Sequence, residues 1–296
     1  MEKISQAAQL ESAPDEKYNF PEIESFKEGL FDMCEKMKGD IETNKWDVLL
    51  SDETGGRVPT LVIWNLIKHF HPSDPPKPYF LSSGLTYKPN TTDEVLDEHE
   101  FLKKITNPDD RCLIVTQFIR TGKTMRSMIS SLEMTGVKRE NIDVASVVSD
   151  YPNEELYGKL GQHEGEIYSG ERRGAHSADV EAFYPRFTGV IQDHTHYSPT
   201  PIKLTEDVKN TGQRGKLIGH DEWKRIFDIQ YDDMYEKLGR KVSNVDRMAE
   251  YTKRNNTPLS VEEEKELQGN VNKAREDVAT LTREILKKIW SDTSAV

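Results

Sequence analysis

Residues 112–124 read Cys112-Leu113-Ile114-Val115-Thr116-Gln117-Phe118-Ile119-Arg120-Thr121-Gly122-Lys123-Thr124. Cys112 to Val115 is an apolar run without polar alternation, the pattern of a strand covered on both faces. Beyond the run, Met125, Met128, Ile129 and Leu132 recur at helical spacing as far as Gly136. The segment Arg120-Thr121-Gly122-Lys123-Thr124 therefore joins a buried strand to a helix, at the edge of a sheet where open α/β folds bind ligands. Gly122 lets the backbone approach an anion, and the hydroxyls of Thr121 and Thr124 can donate to phosphate oxygens. The helix start directs unpaired N–H groups into the loop, and Arg120 and Lys123 add positive charge. Residues 120–124 are expected to hold a phosphate group. The plainer alternative is an ordinary strand-turn-helix connection in which Thr124 caps the helix.

Strand and helix signals alternate on both sides of this segment. Upstream, Trp46 to Leu50 is a short apolar run, with Asp47 to Leu50 as its strand, followed by a turn at Asp52-Glu53-Thr54-Gly55-Gly56. Val58 to Phe70 reads as a buried helix and Tyr79-Phe80-Leu81 as a brief strand. Downstream, Ile142 to Val148 is the next strand. Alternation of this kind implies crossover connections and a mostly parallel sheet flanked by helices. A helix starting at Pro21 precedes the sheet, with Ile23, Phe26, Leu30, Met33 and Met37 on one face and a stop at Gly39. From Tyr151 to Gly219 the pattern weakens into glycine, proline, histidine and tyrosine, with a strand suggested at Thr188 to Gln192.

Three regions follow: an N-terminus over residues 1–20 without fixed structure, an α/β domain over 21–219, and a helical C-terminal extension over 220–296. In the extension, Ser260 and Glu263 have capping-box spacing. Leu267, Val271, Ala274, Val278, Leu281, Ile285 and Ile289 form a seam that suits either packing on the same domain or a dimerising arm.

Of the 296 residues only Cys34 and Cys112 are cysteines, both on apolar patterns, which reads as small buried hydrophobes in a reducing compartment. A formal net charge of −12 argues against nonspecific nucleic-acid binding, which needs a dense cationic surface. Residues 1–6 lack a signal-peptide core, and no run approaches the ~20 apolar residues of a membrane span. A cytoplasmic location without membrane association is expected.

Residues 112–115, the terminal Thr121-Gly122-Lys123-Thr124 and the amphipathic helix after them resemble the signature of the type I phosphoribosyltransferases. The resemblance implies that residues 120–124 hold the 5′-phosphate of a ribose, with Mg²⁺ accompanying the phosphorylated ligand. It extends more loosely to the upstream strand, turn and helix, and in all covers about residues 45–150. Asp52, Gly55, Gly56 and Arg57 match the position of the family's pyrophosphate loop, although the basic residue here follows the glycines. Tyr87 and Lys88, within Gly84 to Glu100, stand where the family has a mobile active-site loop. Thr116 and Gln117 occupy the ribose side of the motif, where the family has two acidic residues. Neutral side chains cannot make charge-assisted bonds to hydroxyls, nor stabilise positive charge on a ribose ring as its glycosidic bond breaks. The expected function is binding of a phosphorylated ribose or nucleotide by a divergent enzyme of nucleotide or base metabolism. The alternative is a noncatalytic binding or regulatory protein that assembles through its C-terminal helices.

Gly122-Lys123-Thr124 also matches the end of a Walker A motif, but Gln117 stands where the first glycine belongs. Asp150, after Ile142 to Val148, would then mimic a Walker B acid. Asp193-His194-Thr195-His196, with His163 and His176, has a metal-like spacing that polar loop histidines explain equally well. Glu171-Arg172-Arg173-Gly174 is a basic cluster able to meet a phosphate or an acidic partner. Asp52 and Glu53 can bind a hydroxyl or Mg²⁺.

Overall fold

Among the described residues five segments are strands: β1 (Val48–Asp52), β2 (Lys77–Leu81), β3 (Cys112–Ile119), β4 (Ile142–Ser149) and β5 (Ile167–Arg172). These ranges come from the computed structural model, which describes residues 18–20, 23–24, 27–81, 100–172 and 261–291. The strands pair in the order β2-β1-β3-β4-β5, and every pairing is parallel. Parallel neighbours need crossovers. These are supplied by helices α3 (Glu53–Phe70), α4 (Lys123–Met134) and α5 (Asn153–Lys159), while α1 (Lys27–Lys36) and α2 (Lys38–Glu42) lead into β1 and α6 (Val261–Trp290) comes last.

The side-chain period of two along β3 divides the core. Leu113 and Val115 join Leu30, Val62, Leu66 and Leu281 from α1, α3 and α6 on one face. Cys112 and Ile114 join Met125, Ile129 and Leu156 from α4 and α5 on the other. Two covered faces explain why β3 and β4 are mostly apolar, without strict alternation of polar and apolar residues. Cys34 and Cys112 are both buried, and desolvation pushes their thiols up, Cys112 to about 12.

Several boundaries differ from expectation. Gly39 does not end the first helix; α1 stops at Lys36, and Gly39 lies inside the short α2, which buries Ile41. The expected turn at 53–56 is the first turn of α3, with Asp52 as its N-cap. The stretch after Tyr151 is not all loop: α5 and β5 complete the sheet. Both were hidden by size, because α5 spans seven residues with only Leu156 buried and β5 is an edge strand of six. Thr188 to Gln192 and residues 220–260 lie outside the described residues.

The last three residues of the N-terminal segment expected to lack structure are docked on α6. The backbone N–H groups of Asn19 and Phe20 donate to the buried Asp277 carboxylate, each at 2.9 Å. Tyr18 donates to Glu284 at 2.9 Å, and Lys27 pairs with the same carboxylate at 2.6 Å. Along α6, Ala274, Val278, Leu281 and Ile285 are buried against the domain, and Trp290 donates to Glu42 at 2.6 Å. This half of the seam packs on its own domain; the side chains of Leu267 and Val271 lie outside the described set. Leu281→Ala should therefore cost about 2–5 kcal/mol in urea unfolding, as expected for a fully buried leucine. An unchanged unfolding midpoint would mean that α6 does not belong to the cooperative core.

Candidate functional site

The order of the strands reverses between β1 and β3, and open α/β sheets bind ligands outside the carboxyl ends of strands at such a reversal. Here the two strands are also unequal. The register of β1 against β3 ends at Ser51 opposite Val115, whereas β3 continues on β4 as far as Ile119 opposite Ser149. Four residues at a parallel-strand rise extend β3 by roughly 13 Å beyond its last β1 partner. The chain leaving β1 turns into α3 at this step. Gly56, in the first turn of α3, lies so close to the sheet that an added Cβ would stand 2.2 Å from Ser51 Oγ and 2.4 Å from the Val115 carbonyl.

On the other side of the step, β3 delivers Arg120-Thr121-Gly122 to the start of α4. Gly122 is the N-cap of α4, in the left-handed region at φ 68°, and no side chain caps the helix. Thr124, the residue expected to cap in the plainer reading, lies inside the helix. The Lys123 N–H makes a long 3.4 Å contact with Thr121 Oγ1. Among the described residues the N–H groups of Gly122, Thr124 and Met125 have no hydrogen-bond partner. The free amides and the positive end of the α4 dipole thus meet at one place. Arg120, Thr121 and Lys123 are exposed and Thr124 is partly so.

Arg126, one turn into α4, holds the loop in shape. Its guanidinium donates to the Thr121 carbonyl at 3.1 Å and to the Lys159 carbonyl at the end of α5. No sequence pattern marks this residue, because it acts on backbone. Thr116 and Gln117 stand on β3 just before the loop, only 2% and 4% exposed, with Thr116 opposite Ser146 of β4. At that burial neutral side chains are tolerated, whereas two adjacent carboxylates would need cationic or hydroxyl partners.

The other expected residues are dispersed. Gly55 and Gly56 are helical and Arg57 follows them on α3, its guanidinium 3.8 Å from the Phe80 ring centroid. It thus stacks on β2, on the far side of β1 from the β3–α4 loop. Asp52 ends β1 beside the step. Tyr87, Lys88, Arg173, His176, Asp193, His194 and His196 lie outside the described residues, as do the side chains of Glu53, Glu171 and Arg172.

The two ends of the sheet differ in how their buried charges are met. At the amino end, Asp143 of β4 accepts from Trp46 Nε1 at 2.8 Å and from the Glu166 N–H at 2.9 Å, and pairs with Lys45 at 2.9 Å. At the carboxyl end, the side chain of Asp150 is only 4% exposed. Its Oδ1 has no hydrogen-bond partner among the described residues, and its Oδ2 lies 3.9 Å from Arg120 Nε. A cavity of about 360 Å³ opens at the amino end, between Trp46, Asp74, Lys77, Tyr79 and Asp110, opposite the edge where sheets of this order place ligands.

No protein-family model and no curated protein sequence matches the chain. Among solved structures that match is a purine phosphoribosyltransferase from Pyrococcus horikoshii. It is 22% identical, with 42% of this chain and 72% of that chain covered and a TM-score of 0.28. No helix among the described residues is long and apolar enough to cross a membrane.

His163, the described member of the metal-like histidine set, is buried beside Tyr157, with ring centroids 6.4 Å apart. Among the described residues no group of three or more His, Cys, Asp or Glu side chains is placed to hold a metal ion. Burial lowers the His163 pKa, outweighing the attraction of Asp143. The sign follows: below the unfolded value of about 6.5 the unfolded chain takes the proton first, so acidification destabilises the fold. The loss continues until the folded pKa is passed. His163→Phe, which keeps a ring against Tyr157, should flatten the stability profile between pH 7 and pH 5 by up to about 1.4 kcal/mol per pH unit. Parallel profiles for the two proteins, measured by chemical denaturation, would refute this assignment.

Proposed function

We propose that the step between β1 and β3 receives a phosphorylated ribose or a nucleotide, with its phosphate on Arg120, Thr121, Gly122, Lys123 and Thr124. The observation that carries this reading is the uncapped start of α4: free N–H groups around a left-handed Gly122, at the strand reversal of a parallel sheet. Thr121 and Thr124 hydroxyls and the Lys123 ammonium complete a tetrahedral anion's partners, while Arg126 keeps the loop carbonyls turned away. Such a site needs no bulk positive charge, because the backbone supplies the local field.

Geometry disfavours a nucleoside triphosphatase of the P-loop kind. That cradle wraps a long loop around the phosphates, from a first glycine to the Gly-Lys-Thr end. Here Gln117, Phe118 and Ile119 belong to strand β3, so three loop residues remain before α4. Between a divergent transferase and a noncatalytic binding or regulatory protein, the neutral Thr116 and Gln117 favour the second, since no carboxylate on β3 faces a developing positive ring. Mg²⁺ is proposed only as a companion of the ligand. Asp52 ends β1 beside the step, and a single carboxylate there suits a cation held mainly by phosphate oxygens and water.

Calorimetry and phosphorus NMR with ribose 5-phosphate, phosphoribosyl pyrophosphate, nucleoside monophosphates and ATP, with and without Mg²⁺, test the reading. A ribose phosphate or nucleoside monophosphate should bind. Gly122→Ala should weaken it tenfold or more, because it strains a φ of 68° and sets a Cβ 3.0 Å from the Lys159 carbonyl. Thr124→Val, which leaves the backbone alone, should weaken it by roughly 2–10-fold, the worth of one hydrogen bond. Tight ATP binding lost in Lys123→Met would favour the P-loop reading. Turnover of phosphoribosyl pyrophosphate with a base would exclude the noncatalytic one. Failure of every phosphate compound to bind would end the proposal.

A further inference from the structure

Asp150 is a buried carboxylate that the fold itself leaves incompletely met. Its backbone N–H donates to the Ile119 carbonyl at 3.1 Å, which fixes the residue beside the point where β3 passes into the loop. Its side chain is 4% exposed, yet Oδ1 has no partner among the described residues. Its neighbour Arg120 is 69% exposed and reaches only to 3.9 Å of Oδ2, beyond hydrogen-bonding distance. A carboxylate taken out of water without partners is costly, and a group left in that state calls for an explanation in terms of a ligand, an ion or catalysis. Asp143, seven residues earlier and equally buried, shows what a purely structural aspartate looks like in this protein: an indole N–H, a backbone N–H and an ammonium surround it.

We propose that Asp150 is the sugar-binding carboxylate of this site, accepting hydrogen bonds from the hydroxyls of the ligand whose phosphate rests on residues 120–124. The inference rests on the phosphate site proposed above and adds the chemistry of the group attached to that phosphate. An aspartate oxygen accepts and cannot donate, so its partner carries O–H or N–H. The sugar of a phosphate monoester is the first donor-bearing group beyond the phosphate, and Asp150 is the buried acid beside the loop. Thr116 and Gln117, on the adjacent strand, provide neutral polar neighbours; Asp150 provides the charge-assisted bond that they cannot.

The test titrates the unmodified chain and Asp150→Asn with inorganic phosphate, ribose 5-phosphate and 2-deoxyribose 5-phosphate, and follows thermal unfolding without ligand. Asp150→Asn, which frees Arg120 from a nearby negative charge, should not weaken inorganic phosphate binding and should weaken ribose 5-phosphate roughly tenfold or more, the scale of a charge-assisted hydrogen bond. The preference for ribose over deoxyribose should shrink if the 2-hydroxyl is among the groups held, and persist if the 3-hydroxyl alone is held. Tm should stay or rise, since the substitution removes a buried charge at the loss of only a 3.9 Å ion pair with the exposed Arg120. Asp150→Ser serves as the second variant if the amide does not fold. Ribose 5-phosphate binding that matches the unmodified chain would overturn the assignment, with the phosphate site intact. So would a fall in Tm with all three ligands weakened alike, the mark of a structural role. Failure of the unmodified chain to bind any of the three would remove the phosphate site itself, and Asp150's role with it.

Discussion

Where α3 meets the sheet there is room for a hydrogen atom and nothing larger. A Cβ on Gly56 would collide with Ser51 Oγ, the Val115 carbonyl and Asp52 Oδ1, all within 2.6 Å. That contact draws the first turn of α3 against β3, and it does so where β1 ends. β1 cannot continue beside β3, so β3 rises with β4 alone beyond Val115. The missing side chain at Gly56 is what lets the first turn of α3 fit against that step. The step sets the start of α3 and the start of α4 on either side of the same reversal in strand order, the arrangement from which the candidate site is built.

Polar groups are distributed along the strand axis in a way that follows from the same step. At the amino end, Trp46, Lys45, Tyr168, Asp40 and Asp143 form a closed network. Lys45 Nζ reaches the Tyr168 hydroxyl at 2.8 Å and the Asp143 carboxylate at 2.9 Å, and the Trp46 ring packs edge-on to Tyr168 at 6.0 Å. At the carboxyl end, Ser146 and Ser149 donate to nearby carbonyls, both at 2.6 Å. Among the described residues the N–H groups at the start of α4 and Asp150 Oδ1 find no such partner. Fully met networks rigidify a fold, whereas groups left open can be met by something that binds. Polar groups are thus closed off at the amino end of the sheet and left open at the carboxyl end.

The sheet was legible because its strands are covered on both faces. Cys112 to Val115 is apolar throughout and Ile142 to Val148 is so except at Asp143 and Ser146, and that leaves a signal no turn can imitate. The parallel arrangement followed from alternation with helices. What escaped notice was α5 and β5, whose short contacts leave no periodicity, and the true start of α3. There Gly55 and Gly56 looked like a turn because glycine is costly in helices; tertiary packing overrode that propensity at Gly56, where close approach to β3 demands it. The loop 120–124 was readable from residue type, since glycine, hydroxyls and cations in that order have a shared chemistry. Arg126 was not, because it serves the loop through carbonyls, and backbone partners are invisible in a sequence. Asp150 was visible only as an acid after an apolar strand, a common pattern; its meaning comes from burial without partners, which only coordinates supply.

A chain with a net charge of −12 can hold an anion if its repulsion is distant and its attraction near. Exposed charges more than a Debye length away, about 8 Å at physiological ionic strength, are largely screened. What a bound phosphate senses is its own surroundings, and around residues 120–126 these comprise Arg120, Lys123, Arg126 and the positive end of α4. Arg126 is turned to carbonyls, so its charge offsets the loop's own oxygens without occupying the open side. Asp150, the nearby buried acid, bears on Arg120 at 3.9 Å. A phosphate on the loop therefore faces local cations and free amides, while the carboxylate remains for uncharged donors next to it. The proposed anion and acceptor sites, side by side, would complement a molecule that joins a phosphate to hydroxyls, which is why the two proposals require the same ligand.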